Sequence, residues 1–534
     1  MKRDFFILCC GLLISCGGRA GSAAALLPKE SVAQESLISE AQRKLLPILR
    51  PALVPQAATP ADDGLFIAET PCGAIGTVEL APSTPAFLNA VAQSARGHCI
   101  GANGLARLQR KLQNELIARG YITSRLSLAV DGRNAETLVV AVHYGRVGQL
   151  RLSAGSSPRF HPAFTFPLAP GDVLNLRQIE QGLENIGLIP DVVSDIRITP
   201  GSAPGESDIE IYRRQDKYWR MAAWMDDSGA RSTGRYQAGG ALYLDNPSAL
   251  NDVFYASMAR SVFTSSRKGN ESRALYYSLP FGFWSVNLFA GDSRYHQTIN
   301  GNATAYRYQG HSAYWGGQAG YTLSRSSSQR TALSAQLLQR VYRYYLNDTE
   351  IELQRARLTN MKWGISHLRY RDSDQIALSA DIITGSGERA ENMLKFGASI
   401  LKPFSMAGGR LRYLGELSGQ VAHAALPIQD KSFIGDRSTV RGFRGDYKLI
   451  GSSGGYWRNT WLLDAGALQP YVGLDYGQLS RQGEDGGRLA GGVIGLQALR
   501  GALSADLFVG APLEKPAQLP ADRGIVGFSS QVRF

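Results

Sequence analysis

Cysteine is scarce in this chain: five in 534 residues, with Cys9, Cys10 and Cys16 at the very start. Only Cys72 and Cys99 lie beyond it. With no CxxC pair and seven histidines, a zinc site is disfavoured. Two cysteines in an exported chain fit one disulfide, closing a loop of about 27 residues and worth about 3 kcal/mol in the chain-entropy picture. Two unrelated buried thiols are the alternative. Also missing is any apolar run of the roughly 20 residues that a membrane helix needs. Gly451-Ser452-Ser453-Gly454-Gly455 lacks the lysine of a phosphate-binding loop. His296 and His311 show no metal spacing. Asp226 and Asp227 would face opposite ways on a strand, so they make no catalytic pair. The expectation is a protein that is not an enzyme and uses no cofactor or metal.

What is present points to export. Lys2 and Arg3 precede an apolar stretch, residues 5–14, too short to span a bilayer, and Ala23 and Ala25 fill the small-residue positions of a cleavage site. The rival reading is a lipoprotein box at Leu13-Ile14-Ser15-Cys16. Formal net charge is +12, which in other settings would suggest nucleic acid. An exported protein has little access to nucleic acid. Arginines lining a watery lumen, or meeting anionic lipid head groups, account for the excess more simply.

Taken in order, residues 1–25 read as a signal peptide. Residues 26–64 read as one helix, over 31–49, and a Pro- and Ala-rich linker. Residues 65–144 form one module. A strand over 75–80 is followed by helices over 85–95 and 103–119, the second ending at Gly120, a left-handed cap position. Strands over 121–130 and 136–144 complete a β-α-α-β-β order. Residues 145–214 repeat that order loosely, with strands at 145–152, 195–199 and 207–212 and a helix at 175–185. From about 215 to 534 the texture changes. Short alternating segments recur between Gly, Ser, Asn and Asp, in a chain with 59 glycines and 23 tyrosines. Leu275, Tyr277, Leu279, Phe281 and Phe283 share one face, as do Val472, Leu474 and Tyr476, and Val526, Phe528, Ser530, Val532 and Phe534. That is the pattern of an outer-membrane β-barrel, apolar to lipid and polar to lumen, and its length accommodates about 16 antiparallel strands. A soluble β-sandwich is the competing reading of alternating strands; the export signal and terminal Phe534 favour the barrel.

With these pieces in place, the chain resembles the two-partner-secretion outer-membrane transporters, the TpsB family of haemolysin activators and adhesin exporters. The two α+β modules resemble that family's POTRA domains. Cys72, Cys99 and the run 116–125 fit the first; residues 176–183 and Pro200-Gly201 ahead of Gly205-Glu206-Ser207 fit the second. Phe433, Gly435, Asp436, Val440, Arg441, Gly442 and Phe443 resemble the family's long-loop signature. Gly473-Leu474-Asp475, with Gly477 close behind, resembles the barrel-wall motif that partners it.

The resemblance implies that the loop folds back into the barrel and that Asp475 latches Arg441 at its tip. In a wet lumen that pair is expected to contribute about 1 kcal/mol, more if shielded. Arg444-Gly445-Asp446 spells an adhesion-like tripeptide, but a lumen position argues against adhesion. The implied partners are an unfolded secreted exoprotein, captured in the periplasm by the POTRA domains, outer-membrane lipid or lipopolysaccharide, and the barrel-assembly machinery that reads Phe534. No nucleic acid is expected. The passenger classes admitted are haemolysin, adhesin and contact-dependent toxin. The alternatives are an outer-membrane protein-assembly factor, which usually carries more POTRA units, a passive porin, and a surface enzyme such as a barrel lipase.

Overall fold

The structure is a computed structural model that describes residues 66–534 apart from 67, 132–133, 301–303, 372, 387–391, 407 and 481–485. The signal, Cys16, Ala25, the helix expected over 31–49 and its linker lie outside the described residues.

The first α+β unit comprises β1 (Gly73–Ala74), β2 (Thr77–Leu80), β3 (Cys99–Ile100), β4 (Arg125–Asp131) and β5 (Asn134–His143). Its long helix is Ala102–Ala118, and Leu108, Leu112 and Leu116, spaced by four, are fully buried against Leu138 and Val140. Burying each such leucine is worth about 1.5–3 kcal/mol. Gly120 closes the helix at φ +96°, which suits glycine alone without strain. The strand expected to begin at Ile75 starts at Thr77, and the one expected from Tyr121 starts at Arg125, because residues 121–124 form a turn. Cys72 and Cys99 are disulfide-bonded with Cα atoms 5.4 Å apart, beside the β1–β3 ribbon.

The second unit has β6 (Arg146–Leu152), β7 (Val192–Pro200) and β8 (Glu206–Gln215), in the order β6-β8-β7. Its main helix, Leu176–Ile186, is capped by Asn175, whose side chain accepts from the Arg177 amide. In place of a first helix it has one turn, Pro162–Thr165.

Sixteen strands then close into an antiparallel barrel. They begin with β9 (Trp219–Asp226), β10 (Tyr236–Asp245), β11 (Val253–Val262), β12 (Gly269–Phe281) and β13 (Trp284–Asn300). Next come β14 (Ala305–Arg325) and β15 (Gln329–Leu346), the latter carrying the two-residue ribbon β16 (Thr349–Glu350). The ring continues through β17 (Ala356–Arg371), β18 (Asp374–Ser386), β19 (Met393–Met406) and β20 (Gly409–Ala422). A small hairpin, β21 (Ser432–Ile434) with β22 (Leu449–Gly451), stands apart from the wall. The ring finishes with β23 (Gly454–Leu463), β24 (Leu468–Leu479), β25 (Gly487–Arg500), β26 (Leu503–Glu514) and β27 (Ile525–Arg533). β27 pairs β9 over Ser529–Arg533 and Ala222–Asp226, and Phe534 exchanges backbone hydrogen bonds with Met221. Closure removes every sheet edge, as hydrocarbon demands.

Outward positions such as Leu275, Trp315, Val472, Leu474 and Val526 are exposed apolar residues, the lipid-facing half of the period-2 pattern. Phe283, expected to extend one such strand, lies in the turn after β12, where the chain reverses at Gly282 with φ +53°.

The second unit is seated on the short turns of the barrel. Asn185 donates to the carbonyls of Thr165 (2.7 Å) and Gly282 (2.8 Å), and Asn251 donates to the Asn185 carbonyl at 2.6 Å. Glu184 is ion-paired with both Arg325 and Arg330 of the barrel. Arg213, fully buried, donates to Asn251 at 3.0 Å and lies 4.8 Å over the Phe160 ring. Burial pulls its guanidinium down to about 10.

Candidate functional site

The longest connection in the barrel, residues 423–453, turns inward at the loop end and lies against the inner wall. Its base is tied to the inner wall: Arg340, on the inner face of β15, is ion-paired with Asp430 and donates to Asn360 at 2.7 Å. The β21–β22 hairpin carries the tip. Asp436 organises it by accepting from the Ser438 amide (2.9 Å), the Thr439 amide (3.0 Å) and Lys448 Nζ (2.8 Å). Burial alone would raise that carboxyl. The Lys448 ammonium and the Ser438 and Thr439 hydroxyls outweigh it and hold the carboxyl down to about 2. Phe433 lies 4.3 Å from Lys448 Nζ, ring to cation.

At the tip, Arg441 meets Asp475 of β24. Nε donates to Oδ2 at 2.6 Å, Nη2 to Oδ1 at 2.7 Å, and the Arg441 amide to Oδ2 at 2.9 Å. Nη2 also reaches the Asn459 carbonyl and Thr460 Oγ1, both at 2.9 Å. The Asp475 side chain is 0% exposed and that of Arg441 9%. Asp475 points inward because Val472, Leu474 and Tyr476 of the same strand point to lipid. The pair differs from the wet-lumen expectation: Val440 and Phe443 flank it and pack with Ile434, Leu449, Leu479, Leu489 and Leu519, shutting water out.

The wall is shaped for this contact. A Cβ on Gly491 would stand 1.7 Å from the Arg441 carbonyl oxygen, and one on Gly473 would stand 2.5 Å from Arg441 Nη2. Gly477 leaves room for Val440, whose methyl would be 2.8 Å from an added Cβ. Gly442 sits at φ +96°, and its own Cβ would meet the Ala511 carbonyl at 2.4 Å. Gly435 also has positive φ, +107°. The loop therefore runs in a groove made by missing side chains.

Sequence reasoning weighs Asp227 only as half of a catalytic pair with Asp226 and gives it no role. Its side chain, 3% exposed, lies just past β9 and faces Arg235 (3.0 Å), Arg437 (3.4 Å) and Arg444 (3.5 Å). It also accepts from the Phe528 amide of β27 at 2.9 Å, so one carboxylate ties the first strand, the last strand and the inward loop. No local motif signals this, because the partners lie far apart in the chain. Arg444 and Asp446 of the adhesion-like tripeptide are both engaged: Arg444 with Asp227 and Asp522, Asp446 with Arg231 at 3.3 Å. Among the described residues no group of His, Cys, Asp and Glu is arranged to hold a metal.

The sequence profile described as haemolysin secretion/activation protein ShlB/FhaC/HecB matches residues 205–498, more than half of the chain. A ShlB-type POTRA profile matches residues 78–145 and a second POTRA profile matches 146–200. The outer membrane transporter CdiB-2 of Burkholderia pseudomallei is 29% identical over 558 residues, covering 96% of this chain and 95% of that protein. The hemolysin transporter protein ShlB of Serratia marcescens is 27% identical over 431 residues, covering 77% of this chain and 76% of that protein. The solved structure of CdiB from Acinetobacter baumannii superposes with a TM-score of 0.87 at 25% identity, covering 96% of this chain and all of that one.

Proposed function

The chain belongs to the ShlB/FhaC/HecB haemolysin secretion/activation family, and from that premise we propose how its loop and POTRA units work. It is an outer-membrane transporter of two-partner secretion, a barrel in the membrane with its POTRA domains on the periplasmic side. Its cargo is an exoprotein.

The exoprotein arrives unfolded and adds as a strand to a POTRA sheet edge. Both units leave edge strands without a neighbouring strand among the described residues: β2 and β4 in the first and β7 in the second, whereas the start of β6 is bridged from Arg146 to Val173. Backbone pairing of this kind demands little of the passenger's sequence. The seat formed by Asn185, Glu184 and Asn251 holds the second POTRA unit against the barrel turns, so captured chain is delivered at the lumen mouth.

The inward loop is the gate. The observation that carries this reading is the buried Arg441–Asp475 pair, which selects one loop arrangement inside the bore. Passage needs the loop to leave its groove or shift along it. Folding of the passenger outside then prevents return, so no nucleotide is consumed. Phe534, exposed on the outward face at the turn end, serves as the handle for the barrel-assembly machinery.

The test separates insertion from export. Arg441→Ala should insert as a heat-modifiable barrel yet fail to secrete a co-expressed passenger. Exchanging the charges (R441D with D475R) should recover part of the export if the pair acts directly. Normal secretion by Arg441→Ala removes the latch.

A further inference from the structure

The barrel is taller on one side. β13, β14 and β15 have 17, 21 and 18 residues, whereas β9, β10 and β27 at the seam have 8, 10 and 9. A tilted strand needs about 9–11 residues to cross the hydrocarbon. On β14 the outward residues from Leu323 to Ala313 use that length, so His311, Gln309 and Arg307 stand above it.

Which face these residues occupy follows from the alternation. Leu288, Trp315 and Leu337 point to lipid, while Tyr295, Tyr308, Tyr342 and Tyr344 pack together inside. The strand register carries the outward phase upward without a break from these residues. It aligns one rung across five strands: Arg260 opposite Glu271, Glu271 opposite Arg294, Arg294 opposite His311, His311 opposite Arg343. On β14 that rung lies four residues beyond Trp315, about 13 Å along the strand and at head-group height; because the strands tilt, it slopes down to the loop end of the shorter β11. The rung beneath it adds Arg273 and Arg357.

All these arginines are exposed. Two carboxylates answer them, Glu271 to Arg273 at 2.5 Å and Asp292 to Arg294 at 3.8 Å. Among the described residues no carboxylate lies within ion-pair distance of Arg260, Arg307, Arg343 or Arg357. A groove of about 720 Å³ runs along this face, with Lys268, Arg260, Arg294 and Arg307 among its lining. The opposite wall is different. At the loop ends of β24–β27 and β9, outward positions carry Gln478, Arg488, Leu513, Val526 and Met225, a single cation.

We propose that the outward face of β11–β17 at the loop end binds the phosphorylated head group of the outer-leaflet glycolipid, lipid A. Guanidinium groups grip phosphate oxygens in a planar fork, and the acyl chains lie on Leu288, Trp315 and Leu337 below. Anionic lipid draws arginine at the membrane surface, and the bond is to phosphate rather than to sugar. The site fixes the tall side of the barrel in the leaflet and leaves the seam wall comparatively unattached. This rests on the outer-membrane assignment but not on the latch.

The test uses the purified full chain in detergent, with bisphosphorylated lipid A and the same lipid stripped of both phosphates as probes, read by native mass spectrometry. Wild type should bind the phosphorylated lipid at least tenfold more tightly, and added salt should weaken it. The triple variant R260Q, R294Q and R343Q should bind on the order of 100-fold more weakly, about fivefold per arginine. Arg488→Gln, on the opposite wall, should bind as wild type does. Equal binding of both lipids by wild type, or a triple variant within twofold of it, overturns the proposal. Should the triple variant not fold, the two lipids on wild type decide alone. Binding in detergent is independent of secretion, so a failed latch and a failed lipid site give different results.

Discussion

Removing the Arg441 side chain strands a charge. Asp475, fully buried, would lose the guanidinium bonds at 2.6 and 2.7 Å and keep only the Arg441 and Asn459 amides, at 2.9 and 3.2 Å. Breaking a buried pair by deleting one partner costs about 3–5 kcal/mol, most of it the penalty of the uncompensated carboxylate. Taking about 3 kcal/mol, the docked loop of Arg441→Ala opens on the order of 100-fold more often. Trypsin reads this directly. Arg437, Arg444 and Lys448 flank the tip with side chains 25%, 11% and 11% exposed, so cleavage there requires the loop to leave its groove. When opening and closing are fast, cleavage rate tracks the open population. Arg441→Ala should therefore be cut in this loop on the order of 100-fold faster than wild type in detergent. Asp475→Ala should behave similarly, because it strands the arginine. The double variant should be cut more slowly than the two single effects combined would give, with a coupling above about 1 kcal/mol. Cleavage of Arg441→Ala within threefold of wild type, or strictly additive effects, would refute the reasoning.

Four further outcomes follow from the same geometry. Gly491→Ala, placing a methyl 1.7 Å from the Arg441 carbonyl, should open the loop to trypsin, whereas Gly73→Ala, with nothing within 4 Å, should not. Asp227→Asn should loosen the Arg437 and Arg444 contacts at a cost of about 2 kcal/mol, seen as faster cleavage after those arginines and a lower melting temperature of the barrel. The Asp436 carboxyl is held at about 2 when folded, below its ordinary value of 3.8, so its stabilising clasp is complete above about pH 4. It is lost as the pH falls through 3.8 towards 2; pepsin should cut the loop readily at pH 2 and poorly at pH 4, and equal rates would contradict the clasp. Reducing Cys72–Cys99 should destabilise the first POTRA unit by about 3 kcal/mol, measured as loss of helix signal at lower temperature in reductant.

Much of the architecture was legible because its cause is periodic or local. Alternation of two placed Val472, Leu474 and Tyr476 on lipid and Asp475 on the lumen, and the four-residue spacing of Leu108, Leu112 and Leu116 marked the buried helix face. Phe283 was assigned to a strand because alternation does not show where a turn interrupts it; a positive φ at Gly282 does. The water exclusion around Arg441 was not legible. It depends on Gly491 of β25 lying opposite Asp475, between Gly473 and Gly477 of β24, which only the register of the two strands arranges.

The sequence by itself determined the class of molecule: residue alternation and the absence of long apolar runs dictate closed strands, and the helix patterns dictate two α+β units. Tertiary structure alone decided what those strands bring together. Asp227 and Phe528 meet because the ring closes, and Arg260, Arg294 and Arg343 form one basic rung because four separate registers agree. Strand register is a property of pairs of segments, so no single stretch of the chain carries it.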